Sequence, residues 1–235
     1  MKNQEPTIVF DKERAASYDK RMAKLAPLRD ALHLLIRMIL SELPADARVL
    51  CVGVGTGSEL IDLAQAFPQW QFTAVEPATA MLDICRRRVE ESGITSRCTF
   101  HEGYLDSLPA SDPFDAATCL VVSHFFMQKE ERREFFNQIA LRLRPQGYLI
   151  SSDIVSDMST AAYQSLLEVW LRKMKSPEVT DEHNENLRAA YGRDVAVLPP
   201  REVESIIASG GFDAPVLFFQ TLLIHAWYSR RTSLE

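Results

Sequence analysis

The sequence lacks a long uninterrupted hydrophobic run. Its richest apolar stretches, 32–40 and 217–227, are broken by polar side chains. Both fall short of the roughly 20 residues that a membrane-spanning helix needs. We also find no pattern typical of a secretory signal peptide. We therefore expect a cytoplasmic protein that has no membrane partner.

Cysteine is scarce and scattered. The 4 cysteines show no Cys-x-x-Cys spacing and fall in predicted strands or a helix; they are Cys51, Cys85, Cys98 and Cys119. Such isolated residues predict buried, reduced thiols, as in a reducing cytoplasm, rather than disulfides. We expect no metal site.

Basic residues are not in excess. The net charge of −6 and the isoelectric point near 5.5 argue against broad attraction to nucleic acid, so a nucleic-acid partner is not expected. The dense basic run 86–88 falls in a predicted helix, where it is interpreted as a solvated face. No repeat or Gly-, Pro- or Ser-rich linker divides the chain. We expect a single domain over residues 1–235.

The most informative segment runs from Val49 to Gly57, an apolar strand that enters a loop with Gly53, Gly55 and Gly57. Because glycine has no Cβ, the chain can turn tightly and a ligand can approach the main-chain N–H groups. Apolar side chains at helical spacing follow over 58–67. The segment predicts a nucleoside cofactor site; the alternative is a chance Gly-x-Gly-x-Gly in an ordinary turn.

A second predicted strand, 71–75, ends in Glu76, 19 residues after Gly57. An acidic residue at this distance can accept hydrogen bonds from both ribose hydroxyls of an adenosine. A nicotinamide dinucleotide site has a similar outline. Its Gly-x-Gly-x-x-Gly or Ala pattern, however, requires a small apolar residue at the position of Ser58. The spacing therefore favours a different nucleoside cofactor.

These residues resemble motif I and motif II of the class I S-adenosylmethionine-dependent methyltransferases, of the small-molecule type. The motif II segment is Glu76-Pro77 with Ala80-Met81-Leu82. Later segments that resemble the family's landmarks follow in the expected order; they are His101 to Pro109, Phe114 to Phe125, and Leu143 to Ile150. The resemblance therefore covers residues 48–153.

The resemblance implies an α/β fold. Its core would be a Rossmann-like seven-stranded, mostly parallel sheet with an antiparallel last strand. N-terminal helices and a helical lid insertion after strand five would accompany the sheet. It also implies S-adenosylmethionine as cofactor and S-adenosylhomocysteine as product. Matching positions assign cofactor binding to Tyr18, Gly53, Gly55, Gly57, Glu76, Pro77, Met81, Tyr104, Leu105 and Leu120.

Two positions depart from the family pattern. Cys51 stands where the family usually has Asp or Glu, a residue that orients the loop and the methionine ammonium. Tyr104 stands where an Asp often accepts from the adenine amino group, so that contact must come from backbone or from Asp106. The departures bear on cofactor affinity and leave the fold prediction unchanged.

Outside the cofactor half, residues 10–43 are predicted to form two cap helices that close over the cofactor, and 199–230 a helix and a strand pair. Tyr18 either packs near the methyl group or anchors its helix in the core. The insertion 157–195 carries an apolar stripe that includes Tyr163 and Trp170. The stripe is interpreted as a lid over a small-molecule acceptor, with a homodimer surface as the alternative.

His124 follows the fourth predicted strand, where this family often has residues that face the methyl group. Methyl transfer needs a base only if the acceptor must lose a proton. His124 is our candidate for that base, and a structural histidine at a strand end is the alternative.

Two further functions stay open. The order of segments is similar to that of carboxy-S-adenosylmethionine synthase, in which an Arg from the insertion holds the added carboxylate; Arg188 falls at a comparable place, where a surface role is the alternative. The chain could also be a non-catalytic binding subunit. The departures at Cys51 and Tyr104 favour a binding subunit, whereas the retained glycines and Glu76 argue against it.

Overall fold

A computed structural model of the protein describes residues 11–174, 185 and 188–233. Helices and strands alternate through most of this part. The helices are α1 (Lys12–Met22), α2 (Ala26–Leu40), α3 (Ser58–Ala66), α4 (Thr79–Glu91), α5 (Lys129–Arg142), α6 (Ala161–Met174) and α7 (Pro200–Ser209). The strands are β1 (Arg48–Val52), β2 (Gln71–Glu76), β3 (Cys98–Glu102), β4 (Phe114–Leu120), β5 (Leu143–Ile154), β6 (Val216–Thr221) and β7 (Ile224–Arg230).

The strands form one seven-stranded sheet in the order β3-β2-β1-β4-β5-β7-β6. Strands β1 to β5 pair in parallel, and β7 is antiparallel to both of its neighbours. This arrangement confirms the predicted mostly parallel sheet with an antiparallel last strand. The strand order reverses between β1 and β4, and ligands of open α/β sheets bind at the carboxyl ends of the strands at such a point.

Helices cover both faces of the sheet, because the central strands alternate two sets of apolar side chains. Val49 and Cys51 of β1 pack into a layer with α2, α3 and α4. Leu50 and Val52 point to the opposite layer, which α5 and α7 complete. The sheet is therefore a rigid platform whose carboxyl edge stays available for a site.

The insertion after β5 packs back onto its own chain. Tyr163, Leu167 and Trp170 of α6 are buried with Ile154, at the end of β5, and Leu223, in the β6–β7 turn. The apolar stripe that the sequence offered as a lid or a dimer surface is thus covered within the chain. It forms a third apolar cluster at the carboxyl end of the sheet. The residues of the predicted insertion at 175–184, 186 and 187 lie outside the described part.

β5 pairs with β4 from Leu143, and Gln146 takes a φ of 62° at an irregularity in the pairing. One local expectation was wrong. Cys98 is half-buried rather than buried, since it lies in β3 at the edge of the sheet. Among the described residues, no helix is both long and apolar enough to cross a membrane.

We predict that Phe136→Ala destabilises the protein by about 3–5 kcal/mol, because the fully buried ring leaves a cavity between α5 and the sheet. Urea unfolding measures the loss. The matched control is Leu141→Ala on the same helix, where the side chain is 65% exposed and the change should stay within about 0.5 kcal/mol. Equal losses in both variants would contradict the described packing of α5.

Candidate functional site

The glycine loop between β1 and α3 is shaped by two close approaches. Gly53 has a φ of 66°, and a Cβ there would lie 2.5 Å from Cγ2 of Val122. Gly57 has a φ of 83°, and a Cβ there would lie 2.6 Å from Sγ of Cys85. A side chain at either position would strain the backbone and collide with a neighbour. The loop is therefore held against both the β4 exit and α4.

Glu76 lies at the carboxyl end of β2, beside this loop, and is only 8% exposed. One carboxylate oxygen accepts the Gly55 N–H at 2.9 Å, and the other accepts the Ala78 N–H at 3.0 Å. Burial raises the pKa of Glu76, and the two backbone hydrogen bonds oppose that rise. Each carboxylate oxygen can accept a second hydrogen bond, so the group can still receive two hydroxyl donors.

Arg88 fastens the far side of the loop. Its guanidinium donates to the Thr56 carbonyl at 3.0 Å and contacts Asp19 of α1 at 3.2 Å. Thr56 in turn donates its hydroxyl to Asp19 at 2.7 Å. The prediction that the basic run is a solvated face is therefore wrong for Arg88, because its guanidinium is bound to the loop, although 31% of its side chain is exposed. The contacts also bring α1 over the loop.

The segment after β4 is strained where it meets the loop. Val121 has a φ of 61°, which is rare for a β-branched residue, and its N–H donates to the Ser152 carbonyl at 2.7 Å. Such a conformation costs of order 1–3 kcal/mol and persists only where the surroundings enforce it. The next residue, Val122, is the one that touches Gly53.

A buried charge network enforces that conformation. Asp153, at the end of β5, accepts from the Ser123 hydroxyl at 2.6 Å and the His124 backbone N–H at 3.0 Å. Arg132 of α5 donates to the same carboxylate at 3.0 Å and to the Ser123 hydroxyl at 2.9 Å. Burial would raise the pKa of Asp153, but the charge of Arg132 and the hydrogen bonds from His124 and Ser123 outweigh it, so the pKa lies below its ordinary value.

His124 is buried against this network. Its Nδ1 lies 3.1 Å from the Asp153 carboxylate and 3.4 Å from the Ile154 N–H. We assign the proton to Nδ1, since the charged acceptor is the nearer partner. That tautomer leaves Nε2 with a lone pair, as a base requires. The Ala196 N–H donates to the His124 carbonyl at 2.8 Å, so the end of the insertion covers this histidine.

The sequence analysis missed three members of the network: Arg132, Asp153 and Ser123. The sequence contains one signal that could have identified Arg132. Arg132 occupies the same face of α5 as Phe135, Phe136 and Ile139, all of which are buried. A charged residue on an apolar helical face requires a partner, because an unpaired buried charge is costly. Nothing in the sequence, however, identifies Asp153 as that partner.

The other predicted site residues differ in exposure. Met81 and Leu105 are buried, Tyr18 and Leu120 are half-buried, and Pro77 and Tyr104 are exposed. A separate cleft of about 360 Å³ lies between α1 and α4, lined by residues that include Lys12, Asp19, Asp83 and Arg87. None of the predicted cofactor residues lines this cleft. Their roles therefore stay predictions.

Comparisons with known proteins show likeness to methyltransferases in sequence and fold. Residues 49–147 match the Methyltransferase domain family. Carboxy-S-adenosyl-L-methionine synthase of Campylobacter lari is 27% identical over 169 residues, which cover 71% of this chain and 70% of that protein. Fatty-acid O-methyltransferase of Mycolicibacterium smegmatis is 32% identical over 107 residues, which cover 45% of this chain but 36% of that protein.

Human N-acetylserotonin methyltransferase, solved in complex with S-adenosylmethionine, shares the fold with a TM-score of 0.67 at 13% identity. That match covers 99% of this chain and 61% of the human one. The glycine loop, the acid after β2 and these likenesses define a class. That class is the class I S-adenosylmethionine-dependent methyltransferases, which the match over residues 49–147 and the similar proteins support for this chain, and S-adenosylmethionine is its cofactor.

The residues present fit that cofactor. Glu76 keeps a free acceptor site on each oxygen for the two ribose hydroxyls. Buried apolar surface is offered by Met81, at the start of α4, and by Leu105, just after β3, the strand that pairs with β2. S-adenosylmethionine supplies a methyl group that its sulfonium already activates. The side chains are then required to bind, orient and exclude water.

We predict that Arg132→Met destabilises the protein by about 3–5 kcal/mol, because Asp153 would be left buried without its cation. Urea unfolding near neutral pH measures this loss of stability. The control is Arg133→Met, at the adjacent exposed position, which should leave the free energy of unfolding nearly unchanged.

The double variant Arg132→Met with Asp153→Leu should recover much of the lost stability, because it removes both charges. A double variant as unstable as Arg132→Met alone would show that the charge pair is not the source of the loss.

Proposed function

We propose that the protein transfers the methyl group of S-adenosylmethionine to a small-molecule acceptor. The observation that carries the proposal is the geometry of Glu76, a buried carboxylate whose two oxygens are fixed by backbone N–H groups at the glycine loop. A carboxylate oriented in this way suits a pair of adjacent hydroxyls. Adenosine presents such a pair on its ribose.

The remaining residues can be given roles from their positions. The α1 helix, tied to the loop through Asp19, Thr56 and Arg88, would shield the cofactor from water. The apolar cluster of α6 closes the carboxyl end of the sheet beyond β5 and would exclude water from the acceptor. Both arrangements support alignment of two reactants in a dry site.

The pair formed by His124 and Asp153 bears on the acceptor. With the proton on Nδ1 held by Asp153, Nε2 can accept a proton from a hydroxyl group as its oxygen attacks the methyl carbon. This supports an acceptor that must lose a proton, such as a hydroxyl group. The fatty acid in the name of the relative from Mycolicibacterium smegmatis differs in this respect, because a carboxylic acid is already ionised near neutral pH and needs no base. We therefore favour a neutral hydroxyl-bearing acceptor and assign His124 as the base.

A second function has a specific observation in its favour. The synthase of Campylobacter lari matches 71% of this chain, more than the fatty-acid enzyme does. A synthase of that kind needs a cation for the added carboxylate. Arg188, the residue we nominated, instead donates to Glu168 of α6 at 2.6 Å, and its side chain is 34% exposed. That pairing favours the surface role, and methyl transfer stays the leading proposal.

Calorimetric titration with S-adenosylhomocysteine tests the cofactor site. We expect binding, and we expect Glu76→Ala to weaken it by about 1–3 kcal/mol, because two ribose hydroxyls would lose a charged acceptor. Glu90→Ala, at an exposed position of α4, is the control and should bind as the wild type does. An unchanged affinity in Glu76→Ala would show that the carboxylate does not face the ribose.

Mass spectrometry of the nucleoside that co-purifies with the protein separates the two functions. We expect S-adenosylmethionine or S-adenosylhomocysteine. A carboxylated nucleoside that disappears in Arg188→Ala would replace methyl transfer with the synthase function. If no nucleoside is retained, even after incubation with S-adenosylmethionine, the chain is a non-catalytic subunit.

A further inference from the structure

Helix α1 is attached to the rest of the chain differently from the other helices. Each of the others contributes apolar side chains to one of the three apolar clusters, whereas among the described side chains α1 contributes none. Of the α1 side chains that the structure describes, Ala15 alone is buried. Burial of apolar surface is the main force that docks a helix, so α1 must be held by other contacts.

The interface between α1 and α4 is also loosely packed. The cleft of about 360 Å³ lies between these two helices, and apart from Ile84 its lining is small or charged; the lining residues are Lys12, Ala15, Ala16, Asp19, Ala80, Asp83, Ile84 and Arg87. Protein interiors are close-packed, and a gap removes the dispersion contacts that interdigitated side chains would make. The attachment of α1 therefore depends strongly on polar contacts.

Polar contacts of α1 converge on Thr56, between the second and third glycines of the loop. Thr56 is 3% exposed, and its hydroxyl donates to one carboxylate oxygen of Asp19 at 2.7 Å. The Arg88 guanidinium lies 3.2 Å from the other carboxylate oxygen and donates to the Thr56 carbonyl at 3.0 Å. The same guanidinium nitrogen lies 3.1 Å from the Thr56 hydroxyl and 3.4 Å from the Ser58 hydroxyl. Helix α1, helix α4 and the loop therefore meet at one guanidinium group.

The glycine loop needs a tie of this kind. Its three glycines have positive φ, and glycine loses more conformational freedom on ordering than any other residue. The Gly55 N–H is fixed by the Glu76 carboxylate at 2.9 Å, and the next residue, Thr56, is fixed by Arg88 and Asp19. Because Thr56 follows Gly55 directly, a shift of Thr56 would also move the loop away from the carboxylate that we assign to the ribose.

We propose that Arg88 is a positioning residue for the cofactor site, and that Asp19 makes its hold on the loop depend on α1; the inference rests on the proposed function. When α1 lies against the loop, the Asp19 carboxylate fixes the Arg88 guanidinium where it meets the Thr56 carbonyl. When α1 moves away, Arg88 loses its charged partner and the loop loses its tie. Closure of α1 and the shape of the cofactor loop are therefore coupled.

The strength of this latch, formed by Asp19, Thr56 and Arg88, suits reversible closure. The side chains of Asp19 and Arg88 are 47% and 31% exposed, and ion pairs this open to water add little stability and weaken with salt. Helix α1 can therefore open at low cost, so that a cofactor enters and its product leaves. A bound nucleoside that shields the contacts from water strengthens them, so the latch holds better when the site is occupied.

The dissociation rate constant of S-adenosylhomocysteine, measured by stopped-flow displacement from the full chain, reports the latch. We expect Arg88→Met to raise it on the order of 10-fold, because the Thr56 carbonyl loses a charged donor. Arg88→Lys should recover most of the loss, since an ammonium group can still donate to that carbonyl. The control is Arg87→Met, where the side chain is 65% exposed, and it should leave the rate constant unchanged. Equal acceleration in Arg87→Met would assign the effect to net charge and overturn the proposal.

Asp19→Asn separates the ion pair from the hydrogen bond. Asparagine keeps an acceptor for the Thr56 hydroxyl but lacks the charge that fixes Arg88. Alone, it should raise the dissociation rate constant about 3-fold. Combined with Arg88→Met, it should give about 10-fold, the effect of Arg88→Met alone, whereas independent contributions would multiply to about 30-fold. A multiplicative result would disprove the coupling to α1.

A purely structural role for Arg88 predicts a different outcome. Arg88→Met would then lower the melting temperature and leave the dissociation rate constant of S-adenosylhomocysteine unchanged, which would contradict the proposal. Salt gives an independent readout, because it screens an exposed ion pair. Higher ionic strength should speed dissociation from the wild type and have far less effect on Asp19→Asn. The same salt response in both proteins would show that the ion pair does not hold the loop, against the proposal.

Hydrogen exchange of the wild-type chain needs no variant, so it tests the proposal even if Arg88→Met fails to fold. S-adenosylhomocysteine should slow exchange in α1 and at residues 55–57 together. Protection of the loop with unchanged exchange in α1 would show that α1 does not respond to the site, and would overturn the proposal. If the nucleoside does not bind at all, the proposed function fails, and this inference with it. Binding with unchanged rates in all variants would reject this inference alone.

Discussion

The arrangement of the site depends on one buried ion pair, between Arg132 and Asp153. Both side chains are completely buried, and together with Ser123 they join α5, the end of β5 and the segment after β4. Removing two charges from water is costly, and the cost is recovered only when good geometry satisfies their hydrogen-bonding groups. Here Asp153 receives four contacts: two from His124, one from Ser123 and one from Arg132.

The conformation of the β4 exit follows from this pair. Val121 can stay in a left-handed conformation because Ser123 and His124, just after it, are bound to Asp153. The strained turn places Val122 against Gly53, and so couples the β4 exit to the glycine loop. The two halves of the site, at β1–β2 and at β4–β5, are therefore in direct contact at Val122, beyond the point where β1 and β4 pair in the sheet.

The glycine loop and its acid could be predicted from the sequence because their signal is local. Gly53, Gly55, Gly57 and the acid after the next strand recur at fixed distances along the chain, and the strand and helix between them are visible in the hydrophobic pattern. The sheet order followed from the family resemblance. Its strand register, which pairs Leu120 with Ser152, could not be derived from the pattern.

The missed contacts share a physical cause. Asp153 meets His124 and Arg132 across separations of 29 and 21 residues, because parallel strands and a crossover helix bring their ends together. Arg88 was misjudged because a run of three arginines was treated as one surface, although successive residues on a helix point about 100° apart.

Charge divides the site into two regions. At the glycine loop, the pKa of Glu76 and the pKa of Glu59 are both raised by burial, and within the described part of the chain neither carboxylate forms an ion pair. At the β4 exit, Arg132 holds the pKa of Asp153 down and cancels its charge. The first region therefore favours a cationic ligand. The second presents a histidine in surroundings without net charge, which favours a neutral acceptor.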